Sequence, residues 1–282
     1  MKFSVILNYK NYLQTIQAAT AALDAGIDYV VVVDNDSRNS SVEELKKVFG
    51  DEKRVKVLSA PENKGYASGN NFGILWIEQT YGISADNDIF ILNPDVIVNR
   101  SLISEVDSVL QKAQSVGIVS GLVNEKDSGA WKHLTLLRAF VFNFWLVRWI
   151  LFKFGIEESI KYKVSTEKYM EVEVVLGAFF GIRQDVFKEI GYFDSNTFLY
   201  YEEEILYAKL SEVNKRNVII NTVSYSHIGG GAKTTGKLRF KMNNDESRLY
   251  YLRQYRQASK TYERISRFVN AVDDYLLKMI GR

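Results

Sequence analysis

The sequence predicts an α/β fold, with a mostly parallel sheet flanked by helices and a helical extension at its C-terminal end. Two observations carry this expectation. Over residues 1–100, short β-branched or apolar runs alternate with helical stretches, which is the pattern of βαβ units. Polar side chains also gather just after those runs, where open parallel sheets bind their ligands.

The expected strands are Phe3–Leu7, Tyr29–Val33, Val55–Ser59 and Asp88–Leu92. Helices are expected between them over Leu13–Ala25, Ser41–Phe49 and Ser68–Tyr81, with Ser41 and Ser68 placed to cap their starts. Right-handed crossovers are the default connection. A helix over Ser101–Ser115 then leads to an apolar strand, Val116–Val123. The alternation stops at an aromatic segment, Arg138–Phe154. It resumes with a strand over Glu171–Ile182, a short helix over Asp185–Ile190 and a last sheet strand over Val218–Tyr225. From Lys237 onward Arg, Lys and Tyr alternate with apolar residues, a composition that suits helices.

A chain of 282 residues can bury a sizeable core, and 46% apolar with 25% charged residues is the make-up of a folded globular protein. The net charge of +2 creates no global field for nucleic acid, so no such partner is expected. With no cysteine, disulfides, thiolate metal sites and a cysteine nucleophile are excluded, and a reducing, cytoplasmic setting fits. The N-terminal run MKFSVILNYKNY reads as a strand and not a signal peptide, because Asn8 interrupts it and no small-residue cleavage site follows. Asn143 and Arg148 break the aromatic segment, which falls short of the roughly 18–20 apolar residues a membrane span needs.

Five constellations bear on chemistry. Asp34, Asn35 and Asp36 follow the second strand, where a carboxylate can accept from a base N–H or a ribose hydroxyl; Asp36 and Ser37 can equally form a turn and helix cap. Asn63, Gly65, Ser68, Gly69, Asn70 and Asn71 form a small-residue loop opening a helix, suited to phosphate or sugar oxygens or to a tight turn. Asn93 and Asp95 end the fourth strand; Asp95 can hold a hard divalent cation, and Asn-Pro-Asp is also a strong turn. Glu202, Glu203 and Glu204 follow the aromatic cluster Phe198–Tyr201, so like charge and an apolar wall can poise a general base there. The other reading is an acidic first helical turn. His227, before the glycine run Gly229–Gly231, can be a metal ligand, a phosphate contact or a structural residue.

In order, the segments VILNYKNY, VVVDNDS, ENKGYASGNNFGI, ILNPDV, VLGAFFGIRQDVFKEIGYFDSNTFLYYEEEIL and SHIGGG resemble glycosyltransferase family 2, in particular its bacterial rhamnosyltransferase-like branch for surface polysaccharides. The resemblance runs from Ser4 to about Gly231. It implies a GT-A (Rossmann-like) fold over residues 1–232, split into a nucleotide-binding half (1–100) and an acceptor half (101–232), with 233–282 as the helical extension. It further implies a nucleotide-diphosphate sugar donor such as dTDP-rhamnose or a UDP-hexose, a Mg²⁺ or Mn²⁺ ion, and inversion at the anomeric carbon. Donor contacts would come from Asn8, Asp34, Asn35, Asn63, Gly65, Gly69, Asn70 and Asn93, and metal contacts from Asp95 and His227. Asn93 stands where the family has the first Asp of its Asp-any-Asp motif, which lowers the negative charge of the site.

The family's Glu-Asp pair corresponds to Glu202-Glu203, with Glu203 expected as the base. Ile205 and Leu206 stand where the family carries a further Asp and a Leu. The acceptor would be a glycan or a lipid-linked glycan. Trp145, Arg148, Trp149 and Lys153 could rest on an anionic membrane, peripheral to its inner face; an interior helix pair or a homodimer contact is the alternative. A non-catalytic nucleotide-sugar-binding module is the rival from another class. A nucleotidyltransferase is disfavoured because no basic triphosphate loop lies near the N-terminus.

Overall fold

The computed structural model describes residues 1–229 and 237–279. In chain order the elements are β1 (Lys2–Asn8), α1 (Tyr12–Asp24), β2 (Tyr29–Asp34), α2 (Ser41–Phe49), β3 (Val55–Ser59), α3 (Tyr66–Tyr81), β4 (Asp88–Leu92) and β5 (Val96–Ile97). There follow α4 (Arg100–Lys112), β6 (Val116–Val123), β7 (Ala130–Lys132), α5 (Leu136–Asn143), α6 (Trp145–Lys153), β8 (Ile160–Lys161), β9 (Tyr169–Val172) and β10 (Val174–Val175). The chain continues through β11 (Phe179–Arg183), α7 (Gln184–Glu189), α8 (Glu202–Glu212), β12 (Arg216–His227), α9 (Lys237–Tyr255) and α10 (Lys260–Met279).

The main sheet runs β3-β2-β1-β4-β11-β6-β12-β5, with β9 beside β12. Its first four strands are all parallel. β11 enters antiparallel between β4 and β6, and β12 lies parallel to β6. Val30 to Val33 and Ile89 to Ile91 are fully buried, because helices cover both faces and these central strands need no polar side. Ala18, Ala22, Leu45, Leu102 and Val106 from α1, α2 and α4 pack on one face. Ile74, Ile77, Phe187 and Leu210 from α3, α7 and α8 pack on the other. In register, Asn8 sits beside Asp34 and Ile6 beside Leu92, so β1, β2 and β4 end together.

Several expectations are corrected. α3 starts at Tyr66 with Gly65 as its N-cap at φ +98°, so Ser68, Gly69, Asn70 and Asn71 lie in the helix and not in a loop before it. Ser68 therefore caps nothing. Ser41 is the first helical residue of α2, after Ser40, and its N–H donates to Asn39 Oδ1 at 3.0 Å. The strand expected over Glu171–Ile182 is three pieces, since β9 pairs with β12, β10 with β7, and β11 with β4 and β6. Three different partners require two breaks. The aromatic segment divides at Phe144: in α5, Ala139 and Phe142 are buried, whereas Leu146, Trp149, Ile150 and Phe152 of α6 are exposed. The side chain of Trp145 lies outside the described residues, as do Gly230 and Gly231.

The C-terminal helices pack on α8 and α5. Tyr251 of α9 stacks on Tyr201 with ring centres 5.8 Å apart, and the buried Arg248 pairs with Glu158 at 2.7 Å. Asn143 donates to the Ser266 carbonyl at 3.3 Å, tying α10 to α5. Among the described residues no helix is long and apolar enough to cross a membrane.

Candidate active site

At the shared carboxyl edge of β1 and β2, Asp34 is buried and already well supplied with donors. Asn8 Nδ2 reaches its Oδ1 at 2.6 Å, Ser37 Oγ reaches the same oxygen at 2.5 Å, and the Ser37 N–H reaches Oδ2 at 3.0 Å. Thr15 Oγ1 in turn donates to Asn8 Oδ1 at 2.8 Å, which fixes the amide orientation. Of the two sequence readings, the turn is present, and it is built on Asp34 itself. Asp36 sits in the left-handed region at φ +53° and pairs with the exposed Arg38 at 2.8 Å.

Next along the edge, Asn35 Nδ2 donates to Asn63 Oδ1 at 3.1 Å and to the Gly65 carbonyl at 3.2 Å. Its Oδ1 is buried with no partner among the described residues, and so is Asn70 Oδ1. Gly65 and Gly69 are enclosed by protein. A Cβ on Gly65 would stand 2.1 Å from the Phe198 carbonyl oxygen, and one on Gly69 would stand 2.4 Å from Leu7 Cδ1. Gly65 thus lets the chain cross Phe198, and Gly69 lets α3 lie close on β1.

Asp95 follows β4, and β5 carries it to the end of β12, where Val96 pairs with His227. The carboxylate Oδ2 lies 3.3 Å from His227 Nε2, and this hydrogen bond raises the imidazole pKa against the opposing effect of burial. Asn124 clamps the backbone of His227, accepting from its N–H at 2.9 Å and donating to its carbonyl at 3.1 Å. Among the described residues no group of three or more His, Cys, Asp or Glu side chains converges, so Asp95 and His227 form a two-donor set.

The three glutamates open α8 and face different ways, as successive helical residues must. Glu204 Oε1 accepts from Trp131 Nε1 at 2.9 Å. Glu202 is buried, with Oε1 unpartnered among the described residues. Glu203 is the least buried of the three, and its Oε1 accepts from the Gly177 N–H at 3.1 Å. Burial raises the pKa of all three, and repulsion from Glu203 adds to the rise at Glu202 and Glu204. Immediately upstream, Tyr200 and Tyr201 hold φ at +77° and +68°. Two bulky residues in the left-handed region mark strain that the surrounding packing must sustain.

Tyr66 links these parts, and sequence reasoning missed it as a site residue although it lies within the quoted ENKGYASGNN segment. Its hydroxyl is 2.9 Å from the Gly177 carbonyl oxygen and 3.3 Å from Asn93 Oδ1. Burial pushes its pKa well up, and the charges of Glu203, Glu202 and Asp95 add to that. A neutral phenol has one proton, which serves Gly177 at the shorter distance. Gly177 was missed as well, and nothing local to its own sequence shows that its peptide joins Tyr66 to Glu203.

The description "Glycosyl transferase family 2" matches residues 4–191. The low-salt glycan biosynthesis hexosyltransferase Agl10 of Haloferax volcanii is 26% identical over 205 residues, which is 71% of this chain and 58% of that protein. The chain therefore spans less than two thirds of that relative's length. Among solved structures, GalNAc-T7 with UDP, GalNAc and Mn²⁺ superposes with a TM-score of 0.67 at 12% identity, over 91% of this chain and 49% of that one. A mannosyltransferase, PcManGT from Pyrobaculum calidifontis in complex with GDP-Man and Mn²⁺, gives 0.58 at 12% identity over 92% and 65%. S. aureus TarS 1-349 in complex with UDP gives 0.54 at 14% identity over 93% and 68%. At these identities the likeness establishes the fold, a GT-A arrangement of sheet and helices.

Proposed function

The chain belongs to glycosyl transferase family 2, and from that premise we propose that it moves a sugar from a nucleotide-diphosphate donor to an acceptor hydroxyl with inversion at the anomeric carbon. The observation that carries this reading is Tyr66. Its hydroxyl meets Asn93 at the carboxyl end of β4 on one side and, on the other, the Gly177 peptide that holds Glu203. One phenol and one peptide thus connect Asn93 to the carboxylate of Glu203.

In this reading Asp34, Asn35 and Asn63 accept from or donate to the nucleoside, and Asn93 contacts the donor sugar or its phosphate. Glu203 is the base. Its ionised carboxylate takes the acceptor O–H proton while that oxygen attacks the anomeric carbon from the face opposite the diphosphate. One C–O bond forms, the bond from the anomeric carbon to the phosphate oxygen breaks, and nucleoside diphosphate leaves with the electron pair. The Gly177 N–H on Glu203 Oε1 fixes the carboxylate and leaves Oε2 for the proton.

A carboxylate and an imidazole 3.3 Å apart supply the hard oxygen and nitrogen donors that Mg²⁺ or Mn²⁺ accepts, the remaining ligands being diphosphate oxygens and water. Asp95 and His227 would hold that ion, which when bound neutralises charge on the departing diphosphate. The GalNAc-T7 and PcManGT structures carry Mn²⁺ with UDP or GDP-Man, which supports a donor of this class. The sugar is a hexose or rhamnose, from a UDP-hexose or dTDP-rhamnose, and the acceptor is a glycan or lipid-linked glycan of a bacterial surface polysaccharide. We place the enzyme in the cytoplasm, resting on anionic lipid at the inner membrane face through the exposed Trp149, Ile150 and Phe152 with Lys153 beside them.

The test is a panel of nucleotide sugars screened by thermal shift with Mn²⁺, followed by a transfer assay. One donor is expected to raise the midpoint, and Glu203→Gln to abolish transfer while keeping that shift. Transfer that survives both Glu203→Gln and Asp95→Ala unchanged would overturn the reading.

A further inference from the structure

A cavity of about 330 Å³ opens between the 196–198 loop and helices α9 and α10, lined by Asn196, Phe198, Asn243, Tyr250 and Arg253 among others. We propose that this cleft binds the acceptor as a neutral pyranose chain. The proposal rests on the transfer reading above for the word acceptor, though not for the ligand chemistry.

Three features of the walls select that ligand. Charge comes first: Arg267 pairs with Glu246 at 2.8 Å and with Glu263 at 3.1 Å, and Arg253 lies 3.8 Å from Glu263. Two arginines and two glutamates cancel, so neither a phosphate nor a carboxylate is drawn in. Hydrogen-bonding capacity comes second: the amide residues Asn196 and Asn243 and the carboxylates Glu246 and Glu263 line the cleft. A sugar hydroxyl both accepts from an amide N–H and donates to a carboxylate. Third, the Phe198 side chain is 39% exposed at the cleft, which gives the apolar C–H face of a pyranose a surface to lie on. Planar amides, guanidinium groups and carboxylates around one aromatic ring suit a ligand dense in hydroxyls.

The cleft is also joined to the reacting centre by a short, pinned segment. The Phe198 carbonyl accepts from the Tyr66 N–H at 2.9 Å, and Ser247 Oγ of α9 donates to the Leu199 carbonyl at 2.9 Å. Tyr250 and Tyr255 both donate to Asp194 Oδ2 at 2.7 Å, holding the start of the segment. From there the backbone passes through the strained Tyr200 and Tyr201 directly into Glu202–Glu204. A saccharide seated against Phe198 therefore lies one loop away from Glu203.

The experiment titrates the full chain with a set of methyl glycosides (glucoside, galactoside, mannoside, rhamnoside, each as both anomers) by saturation-transfer NMR, with UDP binding measured in parallel. At least one glycoside is expected to bind, and Asn243→Trp, which fills the cleft, to weaken it by roughly tenfold or more while UDP binding is unchanged. Arg253→Ala, which removes wall contacts without adding bulk, is expected to weaken it as well. Retained UDP binding shows that each variant is folded. In transfer to that glycoside the variants raise KM and spare kcat. Binding that persists in both variants, or no binding by any glycoside to the wild type, overturns the proposal. Loss of glycoside binding in the variants of a chain that binds and hydrolyses no nucleotide sugar would instead sink the transfer reading and leave the saccharide cleft standing.

Discussion

The hydroxyl of Tyr66 lies 2.9 Å from the carbonyl oxygen of Gly177, and the amide of the same glycine donates to Glu203 Oε1 at 3.1 Å. The phenol therefore orients the carboxylate through a peptide. Tyr66→Phe removes that support without adding bulk, and a lost hydrogen bond of about 1–1.5 kcal/mol corresponds to roughly a tenfold fall in kcat. Donor affinity is expected to hold. Steady-state kinetics with separate kcat and donor KM check this, and a tenfold rise in donor KM at constant kcat would contradict a role in orienting the base.

The elevated carboxylates of α8 set a pH dependence. A base works ionised, so kcat/KM should rise with pH and level off once Glu203 has lost its proton, with a midpoint above the ordinary glutamate value of about 4.3. Glu202 and Glu203 repel one another. Glu202→Gln removes that like charge, and the acid limb of the profile should move to lower pH.

Asp95 and His227 predict the metal response. Donor affinity measured by calorimetry should be stronger with Mn²⁺ than with a chelator in the wild-type chain, and Asp95→Ala should remove the difference. His227→Ala should reduce it while leaving the metal-free affinity alone. An unchanged Mn²⁺ effect in both variants would assign the ion elsewhere.

Asp88 predicts a pH-dependent stability unrelated to catalysis. Fully buried at the start of β4, its pKa is pushed up to about 8 by burial and by the neighbouring Asp107, with Gln111 donating to Oδ1 at 3.0 Å. The folded state thus holds this proton more tightly than the unfolded chain. Its stabilising effect is complete below about pH 4 and is lost as pH rises towards 8. Asp88→Asn should raise the unfolding midpoint at pH 8, by about 2–4 °C for each kcal/mol relieved, and change it little at pH 4. Thermal melts at both pH values decide it.

Gly65 is irreplaceable for a reason visible in the backbone. At φ +98°, and with the Phe198 carbonyl where a Cβ would stand, Gly65→Ala combines a strained conformation with a backbone clash and should cost roughly 3 kcal/mol or more. Chemical denaturation measures it. Gly82, at φ +74° with open space around it, should cost less on the same change.

The strands from β1 to β4, though not the short β5 that follows, and the gathering of polar residues at their carboxyl ends were legible in the sequence. Apolar runs flanked by helical periodicity specify parallel strands, and the topology then obliges Asp34, Asn35, Asn93 and Asp95 to lie at one edge. That Glu202–Glu204 would not form a fully solvated face was also readable, because three acids after four large apolar or aromatic residues are unusual for a solvated turn, and Glu202 and Glu204 are buried. The segment from Tyr169 to Arg183 was not: its apolar run gives no sign that β9, β10 and β11 each join a different partner. Nor did the start of α3 show itself, since Gly65 and Phe198 meet only when distant segments cross.

The sequence by itself determined the α/β class, the order of the elements over residues 1–100 and the residue types at their ends, because periodicity and turn chemistry act within a few residues. Only the tertiary structure decided that β5 carries Asp95 to His227, that Tyr66 and Gly177 join Asn93 to Glu203, and that α5 buries Ala139 and Phe142 while Trp149, Ile150 and Phe152 of α6 stay exposed. Those outcomes rest on which distant strands and helices pair. That choice is made by the summed burial and hydrogen bonding of the whole sheet, which no local pattern encodes.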